Sequence, residues 1–113
     1  MTTMKTLLVM RHAKSDWGTT SSRDHDRPLA ERGVKAARRM GRFLAEADAV
    51  PELVVSSTAV RALKTAELAA DAGEWSCPIV ADERLYGSDP ESILEVIGAT
   101  DPGIFCQNVR LCF

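Results

Sequence analysis

Short apolar runs alternate along the chain with longer segments in which apolar positions recur at helical spacing. Leu7 to Met10 is an uninterrupted apolar run, which is typical of a strand covered on both faces, and we expect it to be a central strand of a parallel sheet. Residues 52–57 and 79–81 predict two further strands of this kind. The alternating pattern of residues 109–113 predicts a fourth strand.

Helical periodicity fills the segments between these strands. After Pro28 an apolar stripe predicts a first helix, and its basic outer stripe is interpreted as a solvated face rather than a binding surface. A second helix is predicted from Thr58 to Ala72 with Gly73 at its C′ position, and a third from Asp89 to Ile97. The apolar stripe of the first helix comprises Val34, Ala37, Met40, Gly41 and Leu44, and the basic stripe comprises Arg32, Lys35, Arg39 and Arg42. This order predicts a three-layer α/β/α fold with a mostly parallel sheet.

Composition excludes several classes of function. The 113 residues fit one domain, and a net charge of −2 argues against a nucleic-acid partner or a basic membrane-binding surface. Cys77, Cys106 and Cys112 form no CxxC pair, which favours a reduced, cytoplasmic setting and argues against thiol redox chemistry. The apolar run before Arg11 is only four residues long, which is too short for a signal peptide or a membrane-spanning segment. The sequence also contains no glycine-rich nucleotide-binding motif.

Polar and ionisable residues follow the first two strands directly. Arg11 and His12 come after the first strand, and Ser56, Ser57 and Arg61 come after or shortly beyond the second. Ligands of open α/β sheets bind beyond the carboxyl ends of the strands, so these residues are predicted to share one site. A guanidinium group offers paired donors to phosphate oxygens, and the start of the second helix adds backbone N–H groups. Phosphate is therefore the predicted ligand.

His12 brings nucleophilic chemistry to this site. A neutral imidazole can attack phosphorus to give a phosphohistidine intermediate, and arginines can neutralise the transferring group without a metal or a cofactor. From residue types alone, a His12 that only hydrogen-bonds a loop is an equally open interpretation.

Three motifs, in the same order along the chain, resemble the histidine phosphatase (phosphoglycerate mutase-like) superfamily. LLVMRHAKSDW (7–17) is similar to the R-H-G-[DE]-[AS] signature, with Ala13 in the glycine position. DRPLAERG (26–33) is similar to D-x-P-L-T-x-x-G, and VVSSTAVRALKTAEL (54–68) to S-x-x-x-R-x-x-x-T-A. The R-H-A-K-S form resembles the SixA-type phosphohistidine phosphatase branch. This implies a phosphoglycerate mutase-like fold that hydrolyses a phosphohistidine-bearing protein or a small phosphoester, with no cofactor or metal.

The resemblance implies roles for individual residues. His12 is the expected nucleophile, and Arg11 and Arg61 are expected to clamp the phosphoryl oxygens. Ser15 lies beside the phosphate as a hydrogen-bond donor, or is a plain loop hydroxyl. Glu83 resembles the position of a proton-donating glutamate, although we prefer to interpret it as a loop carboxylate.

The chain departs from the family pattern in its last part. The family carries a second site histidine in a later GHN turn, whereas the histidines here are His12 and His25, and His25 is assigned to a surface loop. Residues 99–113 do not resemble the family, so we divide the chain into a family portion, 1–98, and an atypical tail, and expect the fold to be incomplete at its C-terminus. Two functions stay open: a phosphatase acting through His12, and a truncated remnant that is inactive or only binds phosphate.

Overall fold

A computed structural model of the protein describes residues 6–16, 24–86, 91, 95–96 and 108–112. The strands are β1 (Thr6–Met10), β2 (Leu53–Ser56), β3 (Ile79–Ala81) and β4 (Asn108–Cys112), and the helices are α1 (Glu31–Glu46) and α2 (Val60–Ala72). Single 3-10 turns occupy Asp24–Asp26 and Glu83–Leu85. The predicted α/β class and the fourth strand are confirmed.

The four strands form one parallel sheet in the order β1-β4-β2-β3. Among the described strands the expectation of a central first strand is wrong, because β1 lies at the edge of this sheet and Val9 is 61% exposed. β4 instead lies between β1 and β2, and its Cys112 is in register with both Met10 and Ser56. The carboxyl ends of these three strands therefore meet at one edge, where the chain turns from β1 into Arg11 and His12.

The core lies between the sheet and α2, and α1 packs on α2 from outside. Val54 from β2, Ala66 and Ala69 from α2, and Trp75 after that helix form one buried cluster. The indole Nε1 of Trp75 donates a hydrogen bond of 3.2 Å to the carbonyl of Gly41 in α1, which satisfies its polar group in the apolar surroundings.

Two details of the helices differ from the sequence prediction. Met40 is exposed, although its spacing predicted a buried position. Gly73 has φ −88° and is the C-cap residue, while Glu74 takes the left-handed conformation with φ 56°. Gly73 is required for another reason: a Cβ there would lie 2.4 Å from the Gly41 carbonyl oxygen.

The third helix predicted from Asp89 to Ile97 lies mainly outside the described residues, and Glu91, Glu95 and Val96 within it have helical backbone. Within the described part of the chain, neither helix has the length and apolar character needed to cross a membrane.

Candidate active site

Backbone contacts hold the loop that follows β1 against the start of α1. The amide of Asp16 donates to the carbonyl of Pro28 at 2.9 Å, and the amide of Ala30 donates to the carbonyl of Lys14 at 2.8 Å. Gly33 permits this close approach, since a Cβ there would lie 2.1 Å from the Lys14 carbonyl oxygen. The family-like segments 7–17 and 26–33 are thus joined through their backbones.

His12 has a defined orientation at the entrance to this loop. Its Nδ1 lies 2.7 Å from the carbonyl oxygen of Ala13. A carbonyl oxygen only accepts hydrogen bonds, so Nδ1 carries the proton of the neutral ring and Nε2 carries the lone pair. The imidazole is therefore in the tautomer that makes Nε2 a nucleophile.

Thr65 of α2 connects this loop to the helix. The Thr65 hydroxyl accepts a hydrogen bond of 3.1 Å from the amide of Ala13 and donates one of 2.6 Å to the carbonyl of Arg61. The side chain is fully buried. The peptide that follows His12 is thereby fixed to the helix that carries Arg61.

A cavity of about 460 Å³ opens beside the imidazole. Its lining residues are Arg11, His12, Ala13, Lys14, Ser15 and Arg27. Three of these side chains are cationic, and none of the described lining residues carries a carboxylate. Such a cavity favours an anion with several oxygens.

Arg27 is the most enclosed of the three cations. Its side chain is 10% exposed, and its Nε donates a hydrogen bond of 3.1 Å to the hydroxyl of Ser15. Ser15 is buried, and because its hydroxyl accepts from Arg27 it keeps its own hydrogen to donate. Ser15 is therefore oriented as a donor next to the loop that presents His12.

Four side chains form a second group, the Asp24 cluster, which consists of Asp24, Arg27, Arg61 and Tyr86. The Oδ1 atom of Asp24 pairs with Nη1 of Arg27, while Oδ2 accepts from Nη2 of Arg61 at 3.0 Å and from the Tyr86 hydroxyl at 2.9 Å. The backbone carbonyl of Asp24 accepts from Nη1 of Arg61 at 2.7 Å. Arg61 is thus held by both the side chain and the backbone of one residue.

These contacts shift two ionisation equilibria. The Tyr86 hydrogen bond, assisted by Arg61 and Arg27 and opposed by desolvation, lowers the pKa of the Asp24 carboxyl. The same hydrogen bond raises the pKa of Tyr86, so its hydroxyl stays protonated. Because the Asp24 pKa is lower in the folded state, its contacts stabilise the fold above the unfolded-state pKa, and this stabilisation is lost as pH falls through the folded-state pKa.

The structure brings together some of the predicted site residues and separates others. Arg11, His12 and Ser15 line the cavity. Arg61 lies outside that lining, on Asp24, so its role as a phosphate clamp stays a prediction. Glu83 is exposed in the 3-10 turn after β3 and is also outside the lining, so its role as a proton donor stays a prediction too.

The serines after β2 have local structural contacts. Ser56 donates to the carbonyl of Ser57 at 2.8 Å, and the Ser57 hydroxyl accepts from the amide of Ala59 at 3.1 Å. His25, assigned to a surface loop, instead places Nε2 3.0 Å from the Thr58 hydroxyl and its ring edge against Tyr86.

Sequence reasoning missed Lys14, Arg27 and Thr65. Arg27 stands inside the DRPL motif, where an arginine between an aspartate and a proline is a usable signal. Thr65 follows Arg61 by one helical turn, a spacing that places both on the same helix face.

Comparison with known proteins follows the same segments. Residues 7–89 match the histidine phosphatase superfamily (branch 1). An uncharacterised protein of Mycobacterium tuberculosis is 42% identical over 89 residues, and a 2,3-bisphosphoglycerate-dependent phosphoglycerate mutase of Leifsonia xyli is 35% identical over 96 residues. Each match covers 78% of this chain, but 52% and 38% of the respective relatives, so the chain spans about half or less of their length.

The fold leads to the same group of proteins. A structure from Agrobacterium tumefaciens, assigned as the phosphohistidine phosphatase SixA, superposes with a TM-score of 0.82 at 31% identity over 94% of this chain and 66% of its own. A SixA-type structure from Nakamurella multipartita gives 0.77 at 31% identity, covering 96% of this chain and 58% of the other. With the R-H motif, the phosphoglycerate mutase-like sheet and the matched segment in agreement, the chain belongs to branch 1 of the histidine phosphatase superfamily.

Proposed function

We propose that this chain is a metal-independent phosphatase that takes the phosphoryl group of a phosphohistidine-bearing protein onto His12 and releases it to water. One observation carries the proposal. The imidazole has its Nε2 lone pair available because Nδ1 is bound to the Ala13 carbonyl, and it borders a cavity to which the described residues contribute three cationic side chains. The likeness to SixA-type structures supports the choice of substrate.

The first step is an in-line displacement at phosphorus. The Nε2 lone pair forms the new N–P bond, and the bond between phosphorus and the substrate imidazole breaks. Its electron pair returns to that imidazole nitrogen, and a substrate ring that carries a proton on its other nitrogen leaves as a neutral imidazole without a proton donor. Phosphorylated His12 keeps its Nδ1 proton on the Ala13 carbonyl, which stabilises the positive charge of the ring.

In the second step water is the nucleophile and His12 is the leaving group. A water oxygen attacks phosphorus, the Nε2–P bond breaks, and its electron pair returns to the ring. The water loses a proton, inorganic phosphate leaves, and His12 is neutral again with its original tautomer. Arg11, Lys14 and Arg27 stabilise the negative charge on the phosphoryl oxygens in both steps, since all three line the cavity.

A small phosphoester is the competing class of substrate, because phosphoglycerate mutases are among the relatives. An alkoxide is a poorer leaving group than an imidazole and needs a proton donor in the first step. Among the residues that the structure describes, the cavity lining contains no carboxylic acid that could supply that proton, and Glu83 lies outside it. This favours the phosphohistidine substrate over the phosphoester.

The test is transfer of label to the protein. The chain is mixed with a peptide that carries radiolabelled phosphohistidine, quenched in alkali and mapped by mass spectrometry. We expect labelled His12 and release of inorganic phosphate. His12→Asn should abolish labelling, whereas the matched change His25→Asn, at the other histidine of the chain, should preserve it.

Two results would contradict the proposal. Label that persists in the His12→Asn protein would exclude this residue as the nucleophile. A folded wild-type chain that binds inorganic phosphate but takes no label from the peptide or from a labelled phosphoester would identify the protein as the phosphate-binding remnant.

A further inference from the structure

Two arginines converge on a single carboxylate beside the cavity. In the Asp24 cluster, Arg27 and Arg61 each contact one oxygen of Asp24, and Tyr86 donates to the oxygen that Arg61 contacts. Two guanidinium groups arranged around one anion make a site that a phosphoryl group also fits. The carboxylate thus occupies a position suited to a substrate anion.

The two sides of this contact differ in burial. The side chains of Arg27 and Arg61 are 10% and 12% exposed, whereas that of Asp24 is 51% exposed. The cations are therefore fixed by their surroundings, and the carboxylate lies on the solvent side. An exposed ion pair contributes little to stability, so a competing anion can replace it at small cost.

The site has a direct link to the cavity and one unmet hydrogen bond. Arg27 lines the cavity with His12 and also contacts Asp24. The Nε of Arg61 is buried with no hydrogen-bond acceptor among the described residues. A tetrahedral phosphoryl group has more acceptor oxygens than a carboxylate, and can satisfy a donor that Asp24 leaves without an acceptor.

We propose that Arg27 and Arg61 form an anion site whose resting occupant is the Asp24 carboxylate, and that an incoming phosphoryl group takes Arg61 from Asp24. This inference rests on the proposed function for the identity of the anion. It explains how Arg61 can be a phosphate clamp although it contacts Asp24 in the structure. Asp24 is then an internal competitor that lowers the affinity of the site for phosphate.

The experiment measures binding of inorganic phosphate to the full chain by calorimetry at neutral pH. Asp24→Asn should lower the Kd by up to about fivefold, the range in which an exposed ion pair contributes. Asp26→Asn is the matched control, because Asp26 stands two residues away, is 50% exposed and contacts His25. Asp26→Asn should change the Kd much less than Asp24→Asn does, if tighter binding comes from freeing the arginines rather than from removing one negative charge near the cavity.

A second pair of variants isolates Arg61. Arg61→Gln should weaken phosphate binding, and adding Asp24→Asn to it should give a smaller gain than Asp24→Asn gives in the wild-type background, because only Arg27 is then released. A gain of equal size with and without Arg61, or equal effects of Asp24→Asn and Asp26→Asn, would overturn the inference. The wild type supplies a readout independent of variants: phosphate should shift the NMR resonance of Arg61 Nε, and an unshifted resonance at saturation would also overturn it.

These outcomes are separate from those of the labelling experiment, since phosphate binding needs no turnover. A chain that takes no label but binds phosphate more tightly after Asp24→Asn supports the inference and contradicts the proposed function. A chain that is labelled on His12 but shows no effect of Asp24→Asn supports the proposed function and contradicts the inference.

Discussion

At the scale of single residues, the orientation of His12, the proposed nucleophile, depends on a hydroxyl in another element. The Ala13 carbonyl orients His12, and the Ala13 amide is itself bound to the Thr65 hydroxyl at 3.1 Å. The same hydroxyl donates to the Arg61 carbonyl. Thr65 is therefore a positioning residue: it is outside the cavity lining, but it holds Ala13, the residue whose carbonyl sets the tautomer of His12.

Thr65→Val should expose this role, because valine has nearly the same shape but cannot accept from the Ala13 amide. We expect a loss of about 1–3 kcal/mol in the free energy of unfolding, from the N–H left without a partner, together with slower labelling of His12. Thr65→Ser keeps the hydroxyl and should restore the labelling rate. Urea unfolding and the labelling time course measure the two effects, and equal labelling rates for the valine and serine variants would contradict the role.

The sequence predicts that residues next to the end of one strand lie together in the site. It does not predict which residues from separate parts of the chain contact each other. Arg11, His12 and Ser15 share one loop, so the end of β1 places them together. Arg61 and Asp24 are 37 positions apart in the sequence. Which side chain Arg61 contacts depends on the path of two loops, and residue types alone do not determine that path.

At the scale of elements, glycine sets the distance between the two helices. Gly41 in α1 faces the backbone of α2, and a Cβ there would lie 1.9 Å from the Ala69 carbonyl oxygen. Gly33, Ala37 and Gly41 are the buried residues of α1, spaced four apart, so the contact is a row of small residues. The predicted stripe included Met40 because hydrophobic periodicity weights large residues, whereas this interface selects small ones.

Gly41→Ala should therefore destabilise the protein although alanine is the better helix former. The clash is with backbone, which cannot rotate away, so the helices must separate. We expect a loss of about 1–3 kcal/mol by urea unfolding, as for other overpacked cores. Arg42→Ala, at the adjacent exposed position, is the control and should change stability by less than about 0.5 kcal/mol. An alanine variant as stable as the wild type would show that the helices have room to move.

At the scale of the whole molecule, the sheet order places the last strand in the middle. The apolar pattern predicted four parallel strands with β1 in a central position. Among the described strands, the central positions belong to β4 and β2. A hydrophobic run indicates that a segment is buried, whereas the crossover connections between strands determine which strands are neighbours in the sheet. Strand order is therefore the part of the fold that the apolar pattern does not contain.

A proline in β4 tests this order. Leu111 is in register with Val9 of β1 on one side and Val55 of β2 on the other. Its N–H therefore faces a paired strand on either side of β4. Leu111→Pro should lower the free energy of unfolding by more than about 3 kcal/mol, or abolish the cooperative transition.

Ala81→Pro is the matched control for this change. It lies on the edge strand β3, where Asp82 donates to Ser56 and Pro78 accepts from Val54, so the N–H of Ala81 points away from β2. We expect a much smaller loss for this variant. Equal effects of the two prolines, measured by circular dichroism during urea unfolding, would contradict a central β4.

The position of β4 also has a consequence for biosynthesis. Thr6 is paired with Asn108 and Met10 with Cys112, so β1 and its partner among the described strands are synthesised far apart in time. While the ribosome adds α1, β2, α2 and β3, the first strand has no described neighbour to pair with, and its apolar residues stay open to chaperones. The pairing of β1 with β4 is thus completed only when the nascent chain has been read through to β4, and a ribosome that stalls earlier leaves His12 next to a strand that lacks this partner.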